Sequence, residues 1–155
     1  MYIFFYGSLI NLKSREQTLK TSKVVSKAKL EGYQRKMNAP YKDGYLYLNI
    51  VPRSDSVVDG VVIKISDKDL PFLELREKGS AKVDVSKQLA PKPNFPVYAY
   101  LQEDKKFPKM KILQSYINTC TNGLSEKEKT QWLKTTIIGN DVIDDTGNPI
   151  YEFPA

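Results

Sequence analysis

Four residues at the end of an apolar segment have the chemistry of a ligand-binding loop. The sequence Tyr6-Gly7-Ser8-Leu9 closes a run of apolar and aromatic side chains at the start of the chain. A glycine in such a turn lets the backbone approach a ligand closely, and consecutive N–H groups can point at a carboxylate or a developing oxyanion. An ordinary strand-ending turn has the same pattern, so the loop alone leaves both interpretations open.

A second candidate is Glu77, near the end of a helix that we predict over about residues 69–78. Leu70, Leu73 and Glu77 recur at positions i, i+3 and i+7, which places the carboxylate on a helix face with two leucines. Desolvation on a partly apolar face raises the pKa of a carboxyl group toward the range useful for general acid–base chemistry. The alternative is an exposed glutamate paired with a neighbouring cation, and Glu74 is the second choice for the acid–base role.

The absence of histidine removes several mechanisms, and Cys120 is the single cysteine. There can be no Ser-His-Asp triad, Cys-His pair, His-ligated zinc ion, intrachain disulfide or Cys-ligated iron–sulfur cluster. Cys120 shares helical spacing with Met110, Leu113 and Ile117, so we expect a packed thiol and not a nucleophile. Acid–base chemistry then falls to Glu, Asp, Lys, Tyr or Cys, and we predict no metal site and no cofactor.

Strands dominate the first half of the chain. Residues 2–6 are continuously apolar and aromatic, which is typical of a strand buried on both faces. Ser14 and Gln17 are spaced as a capping box for a short helix over about residues 14–20. Four further strands are predicted at Lys23–Leu30, Tyr33–Met37, Tyr45–Val51 and Val57–Ile65. The turn-forming residues between them are Gly32, Lys42-Asp43-Gly44 and Pro52–Ser56.

Helix signals delimit the element that carries Glu77. Asp69 is a suitable N-cap, Pro71 is tolerated in the first turn, and Gly79 ends the helix. Beyond it the sequence predicts short strands, two helices and an irregular tail. These are strands at Asp84–Ser86 and Val97–Leu101, a helix over about Pro108–Thr121 followed by Gly123, a helix from Ser125 with Glu128 in a capping box, and the tail from Ile143.

This order of elements predicts an α+β fold, a small mixed or antiparallel β-barrel with flanking helices, as one domain over residues 1–155. The chain carries 24 Lys and Arg against 18 Asp and Glu, a formal net charge of +6, but the lysines are scattered along it. Scattered lysines favour a solvated surface over a nucleic-acid interface. No apolar run approaches the ~20 residues of a membrane span. The opening residues lack a basic region and a cleavage site, so we expect no targeting signal. We therefore expect a cytoplasmic protein, a monomer or weak homodimer, without nucleic-acid or membrane partners.

The motifs, taken in order, resemble the gamma-glutamylcyclotransferase-like family. That family typically has a YGSN or YGSL loop, an N-I-V-P strand, a V-x-G-V strand and a helix ending in L-x-x-x-E-G. The corresponding segments here are Tyr6–Leu9, Asn49–Pro52, Val58–Val61 and Leu73–Gly79. Similarity to bacterial members continues through Tyr98-Ala99-Tyr100, Ser115–Gly123, Thr135-Thr136, Asp144-Asp145 and Pro149–Tyr151.

The resemblance implies an enzyme that cyclises a gamma-glutamyl amide to 5-oxoproline and releases an amine or amino acid. The α-amine of the substrate is the nucleophile, so the protein supplies none. Glu77 matches the position of the family's catalytic glutamate and would act as general acid and base. The backbone of Tyr6, Gly7, Ser8 and Leu9 would bind the glutamyl moiety and stabilise the oxyanion.

One departure from the family pattern lies next to the catalytic position. Many members have Glu-Gly where this chain has Glu77-Lys78-Gly79, and an ammonium group facing the pocket would lower the pKa of the carboxyl group. Many members also have a tyrosine a few residues later, and residues 80–83 contain none.

Two other functions fit the sequence: a non-catalytic small-metabolite-binding protein of the same fold, and a basic nucleic-acid-binding domain.

Overall fold

A computed structural model describes residues 1–41 and 44–154 of the chain. Nine described strands form one large and one small sheet. In chain order they are β1 (Tyr2–Phe5), β2 (Lys23–Tyr41), β3 (Tyr45–Lys64), β4 (Ala81–Asp84), β5 (Leu89–Ala90), β6 (Val97–Leu101), β7 (Ile112–Leu113), β8 (Thr136–Ile137) and β9 (Val142–Ile143). The four α-helices among the described residues are α1 (Leu12–Glu16), α2 (Leu70–Arg76), α3 (Gln114–Thr121) and α4 (Glu126–Thr135).

Strand β1 is central to the large sheet, as its apolar sequence predicts. It pairs antiparallel with β3 on one side and parallel with β6 on the other. Ile3, Phe4 and Phe5 are buried. Gly60 of β3 makes this close pairing possible, because a Cβ atom there would lie 2.2 Å from the Phe5 carbonyl oxygen. The strand therefore delivers the following loop from a rigid position in the core.

Strands β2 and β3 are longer than the sequence predicts. The four separate strands expected between residues 23 and 65 are two continuous strands, paired antiparallel along their lengths. The register shifts at Gly32, where φ is +80°, and Asp55 of the opposing strand has φ of +66°. The turns predicted at Gly32 and at Pro52–Ser56 therefore lie opposite each other as irregularities in the pairing of β2 with β3. The two strands pair again on either side of them. Of the third predicted turn, Lys42 and Asp43 lie outside the described residues.

The large sheet confirms the predicted α+β fold with a mixed sheet and flanking helices. Its strand order is β4-β6-β1-β3-β2-β5, and β8 pairs parallel with β2. Strands β4 and β5 form opposite edges, so the sheet curls into a half-barrel and does not close. The predicted strand at Asp84–Ser86 is shifted, since β4 ends at Asp84 and Ser86 begins a 3-10 turn.

Two helix starts differ from the sequence prediction. Helix α1 begins earlier because Asn11 is its cap: the Asn11 side-chain oxygen accepts a hydrogen bond from the Ser14 amide at 3.2 Å. Ser14 itself is buried. Helix α3 begins only at Gln114, because the two residues before it form β7 and pair with β9. The predicted caps of the other two helices are correct in place, Asp69 for α2 and Ser125 with Glu128 for α4.

Tyr6 lies at a junction of the buried core. Its ring packs against one apolar cluster under the half-barrel and against a second that joins α3 and α4 to the β2–β3 hairpin. The loop after β1 is therefore held between the two clusters. No helix in the described ranges is both long and apolar enough to cross a membrane.

Candidate active site

The loop after β1, the end of α2 and the C-terminal segment line one pocket of about 700 Å³, counting its open mouth. All five residues that the sequence singles out line this pocket: Tyr6, Gly7, Ser8, Leu9 and Glu77. The half-barrel brings them together because β1 and the strand that leads into α2 are paired neighbours in the sheet.

The loop is a 3-10 turn over Ser8–Ile10 that leaves backbone donors unused. The amides of Ile10 and Asn11 donate to the carbonyls of Gly7 and Ser8, each at 3.1 Å. The amides of Ser8 and Leu9 have no acceptor within the part of the chain that the structure describes. Two neighbouring N–H groups beside a pocket provide a site for a negatively charged or partly charged oxygen.

Gly7 allows the loop to lie close to the hairpin. A Cβ atom at Gly7 would lie 3.3 Å from the Tyr116 hydroxyl oxygen and 3.7 Å from the Leu48 side chain. That hydroxyl already accepts a hydrogen bond from the Leu48 amide at 3.0 Å. A larger residue at this position would push against a buried hydrogen bond, which gives the glycine a packing role beside its place in the pocket.

Glu77 is the C-cap of α2, and its side chain is half-buried in the pocket wall. Burial raises the pKa of its carboxyl group to about 7, although the Arg76 guanidinium acts in the opposite direction. No described residue donates a hydrogen bond to the carboxylate. Glu77 in turn contributes, after burial, to raised pKa values of the Tyr6 and Tyr100 hydroxyls. Because both pKa values are raised, both phenols stay protonated at neutral pH. The Tyr6 hydroxyl donates to the backbone carbonyl of Tyr100 at 2.5 Å.

The neighbours of Glu77 on the helix differ from the expectations. Glu74, the second choice for the acid–base role, is exposed and does not line the pocket. Lys78 lines the pocket mouth with an exposed side chain, but the cation that lowers the pKa of Glu77 is Arg76. The carboxylate therefore keeps a raised pKa despite the lysine beside it in the sequence.

Arg76 is the main feature of the site that the sequence interpretation missed. Its side chain is only 9% exposed, and it donates to the Ser14 carbonyl at 3.1 Å and the Thr18 hydroxyl at 2.8 Å. It also donates to the Ser14 hydroxyl at 2.9 Å. A signal for this burial exists, because Asp69, Leu73 and Arg76 recur at i, i+4 and i+7, and all three are buried.

The C-terminal segment also belongs to the pocket. It is irregular, as predicted, but Tyr151 is only 4% exposed and lines the pocket together with Phe153. The Asp145 carboxylate fixes this segment on the start of α3, since it accepts from the Ser115 amide at 2.8 Å, the Ser115 hydroxyl at 2.5 Å and the Ile150 amide at 2.8 Å. A buried, fully bonded carboxylate thus holds an otherwise irregular wall in place.

A fully buried amide holds the opposite wall. The Asn49 side chain accepts from the Gln102 amide at 3.0 Å and donates to the Gln102 carbonyl at 2.9 Å. It also donates to the Asn38 side-chain oxygen at 3.0 Å. Gln102 follows β6 and lines the pocket, where its side-chain amide lies 3.4 Å from the Ser80 hydroxyl. Asn49 therefore fixes the end of β6 next to the site.

The structure also bears on thiol chemistry and on metal binding. Cys120 is buried, and burial raises the pKa of its thiol to about 12, so it stays protonated at neutral pH. Among residues 1–41 and 44–154 no group of three or more potential metal-ligating side chains occurs. Glu77 and the amides of Ser8 and Leu9 are therefore the groups at the pocket that suit proton transfer and the binding of a partly charged oxygen.

Several solved structures have a fold similar to that of this chain. A gamma-glutamyl cyclotransferase structure is 14% identical, with a TM-score of 0.67 and 96% of each chain covered. The uncharacterized protein loc79017 from Homo sapiens is 16% identical, with a TM-score of 0.66 and 95% of each chain covered. YkqA from Bacillus subtilis is 19% identical, with a TM-score of 0.59, over 89% of this chain and 56% of its own. At these identities the similarity shows a shared fold.

Sequence comparison gives the family. No curated protein matches the chain. The family model described as gamma-glutamyl cyclotransferase, AIG2-like, matches residues 3–116, which is more than half of the chain and includes both the loop after β1 and Glu77. The match confirms the resemblance seen in the sequence motifs, and the chain belongs to the gamma-glutamyl cyclotransferase, AIG2-like family.

Proposed function

We propose that this protein cyclises a gamma-glutamyl amide to 5-oxoproline and releases the amine or amino acid. The observation that carries the proposal is a half-buried carboxylate with a pKa raised to about 7, that of Glu77, in one pocket with the unbonded amides of Ser8 and Leu9. The name of the similar gamma-glutamyl cyclotransferase structure and the family membership point to the same reaction.

The reaction needs one group that first accepts and then donates a proton. The substrate's α-amine attacks its own γ-carbonyl carbon, and the ionised Glu77 carboxylate accepts the proton that the amine nitrogen loses. The C–N bond to the leaving group then breaks, and protonated Glu77 gives that proton to the departing nitrogen. A pKa near 7 makes both protonation states accessible at neutral pH, so neither transfer is strongly unfavourable.

The loop amides would stabilise the charge that develops on the γ-carbonyl oxygen during attack. Ser8 and Leu9 present two fixed N–H donors that need no reorganisation. Loss of one such donor typically costs ~3 kcal/mol of transition-state stabilisation. Because the nucleophile comes from the substrate, the buried thiol of Cys120 needs no part in the reaction.

The direct test is release of 5-oxoproline by the purified protein from a panel of gamma-glutamyl amino acids, gamma-glutamyl amines and glutathione. We expect turnover of at least one compound and its loss in Glu77→Gln. Glu74→Gln is the matched control, because Glu74 is an exposed glutamate on the same helix, and it should keep wild-type activity. Turnover that survives Glu77→Gln would refute the acid–base role. Binding of gamma-glutamyl compounds without any turnover would refute the enzymatic proposal and indicate a binding protein.

A further inference from the structure

The pocket contains a buried cation, Arg76, whose hydrogen-bond acceptors are all neutral, although it attracts the nearby Glu77 carboxylate through space. Arg76 forms no ion pair with any carboxylate in the described ranges. The groups that accept its hydrogen bonds are one carbonyl and the hydroxyls of four residues, all neutral. A buried charge is normally paired, because the protein interior screens it weakly. This end of the pocket therefore carries a positive potential that an anionic ligand group would balance.

The hydroxyls of Ser8 and Tyr151, two residues that line the pocket, are hydrogen-bonded to Arg76. The Ser8 and Tyr151 hydroxyl oxygens are 2.7 Å apart, and each lies 3.1 Å from Arg76 Nη2. Because Nη2 also donates to the Ser14 hydroxyl and has only two protons, one N–H is shared between two of these three hydroxyl oxygens. The two hydroxyl groups have two O–H protons, and one of these forms the hydrogen bond between Ser8 and Tyr151. The second proton has no acceptor among the residues that the structure describes. Both residues line the pocket, so the pair has one donor left for a ligand.

Phe153 shields the charged group from water. Its ring centre lies 4.0 Å from the Arg76 guanidinium carbon, a cation–π contact. The Gln17 side chain donates to the carbonyl of Pro154, the residue after Phe153, at 2.8 Å. This bond holds the C-terminal segment in place beside Phe153. Tyr151 and Phe153 both lie outside residues 3–116, the part that the family model matches. This end of the pocket is therefore a feature of the C-terminal segment, added to the part that the family model describes.

We infer that the hydroxyl pair of Ser8 and Tyr151, polarised by Arg76 and covered by Phe153, binds a carboxylate of the substrate. A polarised hydroxyl donor beside a shielded positive charge favours an anionic oxygen over a neutral one. The inference deepens the proposed function, on which it rests. A gamma-glutamyl amino acid carries two such carboxylates, one on the glutamyl moiety and one on the leaving amino acid.

Binding measurements test the inference without requiring turnover. The probes are 5-oxoproline and 2-pyrrolidinone, which share a ring but differ in the carboxylate, titrated calorimetrically at neutral pH. In each single variant, Ser8→Ala or Tyr151→Phe, one hydroxyl remains, so the double variant is the decisive protein. If the pair binds the glutamyl carboxylate, we expect the double variant to bind 5-oxoproline at least about tenfold more weakly, since it loses a hydrogen bond to a charged group. Tyr33→Phe, a phenol outside the pocket, is the control and should bind like the wild type.

A substrate pair locates the carboxylate. Gamma-glutamyl-alanine and gamma-glutamyl-ethylamine differ in the carboxylate of the leaving group. If the pair binds the glutamyl carboxylate, the double variant loses kcat/KM equally for both and loses affinity for 5-oxoproline. If it binds the leaving amino acid, only gamma-glutamyl-alanine is affected and the affinity for 5-oxoproline is unchanged. Either result supports the inference.

Wild-type behaviour of the double variant toward both probes and both substrates would overturn the inference. If the wild type shows no turnover, the proposed function fails and the binding measurements alone decide: a preference for 5-oxoproline that the double variant loses still supports the carboxylate site, and no such preference overturns it. Phe153→Ala covers the case in which the double variant does not fold. It opens the guanidinium to water. It should weaken 5-oxoproline binding relative to 2-pyrrolidinone, or lower kcat/KM for gamma-glutamyl-alanine relative to gamma-glutamyl-ethylamine, and equal effects within both pairs would also overturn the inference.

Discussion

Replacing Glu77 with glutamine is expected to stabilise the folded protein at alkaline pH while it removes the proposed activity. Burial raises the pKa of this carboxyl group from 4.5 to about 7. A raised pKa in the folded state means that ionisation opposes folding. The stabilising contribution of the neutral carboxyl group is complete below the unfolded-state pKa and is lost as the pH rises through about 7.

The magnitude follows from the size of the shift. One pKa unit corresponds to about 1.4 kcal/mol, so the ionised Glu77 destabilises the fold by about 3 kcal/mol above its folded-state pKa. Glutamine keeps the shape and removes the charge. We therefore expect Glu77→Gln to exceed the wild type in unfolding free energy by about 3 kcal/mol near about pH 8.5, and by only a few tenths near about pH 4.

Urea denaturation of both proteins at the two pH values measures this difference, and thermal melts give a second estimate of about 2–4 °C per kcal/mol for a chain of this length. Glu74→Gln is the control, because an exposed carboxylate gives no comparable pH-dependent gain. A difference between Glu77→Gln and wild type that is the same at both pH values would refute the argued desolvation of Glu77, and with it the physical basis of its acid–base role.

Three further predictions concern the site and its support. In ¹³C NMR of glutamate-labelled protein, one side-chain carboxyl resonance should titrate near pH 7, and this transition should be missing in Glu77→Gln. Gly60→Ala should prevent stable folding, because its Cβ would lie 2.2 Å from a backbone oxygen of β1, whereas Gly147→Ala, with nothing within 4 Å, should fold normally in circular dichroism. Asn49→Ala should lower the urea-derived stability by about 3 kcal/mol, since it removes hydrogen bonds from the buried Asn38 oxygen and from the half-buried backbone N–H and C=O of Gln102.

Each of these has an outcome that contradicts it. Titration of every glutamate below about pH 5 would show that the pocket does not desolvate Glu77. A well-folded Gly60→Ala protein would mean that β1 and β3 can separate locally without loss of the core. For Asn49→Ala the comparison is Asn118→Ala, an exposed asparagine on α3. Equal stability of these two variants would contradict the claim that the Asn49 hydrogen bonds hold the end of β6 in place.

Local patterns in the sequence were sufficient for the loop and the helix that form the pocket. The apolar run of β1 favours a buried strand, and Asp69 and Pro71 mark the start of α2 by cap chemistry that depends on neighbouring residues alone. The helix ends at Arg76, two residues before the predicted end, and Gly79 with φ of +97° forms the turn that follows. Glu77 could be selected because helical spacing puts it beside Leu73. These features required no knowledge of what packs against them.

Long-range pairing explains most of what the sequence did not predict. Gly32 and Pro52–Ser56 have the composition of turns, but each lies opposite the other in one hairpin, and the ladder continues through them. The burial of Tyr151 depends on Asp145 binding the start of α3, a contact between segments that local periodicity cannot represent. The environment of Glu77 likewise depends on α1 and the C-terminal segment, which lie far from it in the chain.

The hydrogen bonds of Arg76 explain how Glu77 keeps a pKa near 7 next to a buried cation. A direct ion pair between adjacent residues would hold the carboxyl pKa below its ordinary value, and Glu77 could then no longer donate a proton at neutral pH. The structure instead directs the guanidinium to α1, the Ser8 loop and Tyr151, away from the carboxylate. Desolvation therefore outweighs the attraction of Arg76, so the carboxyl group stays half-ionised near neutral pH. The same bonds hold the positive charge beside Ser8 and Tyr151, where we infer that a substrate carboxylate binds.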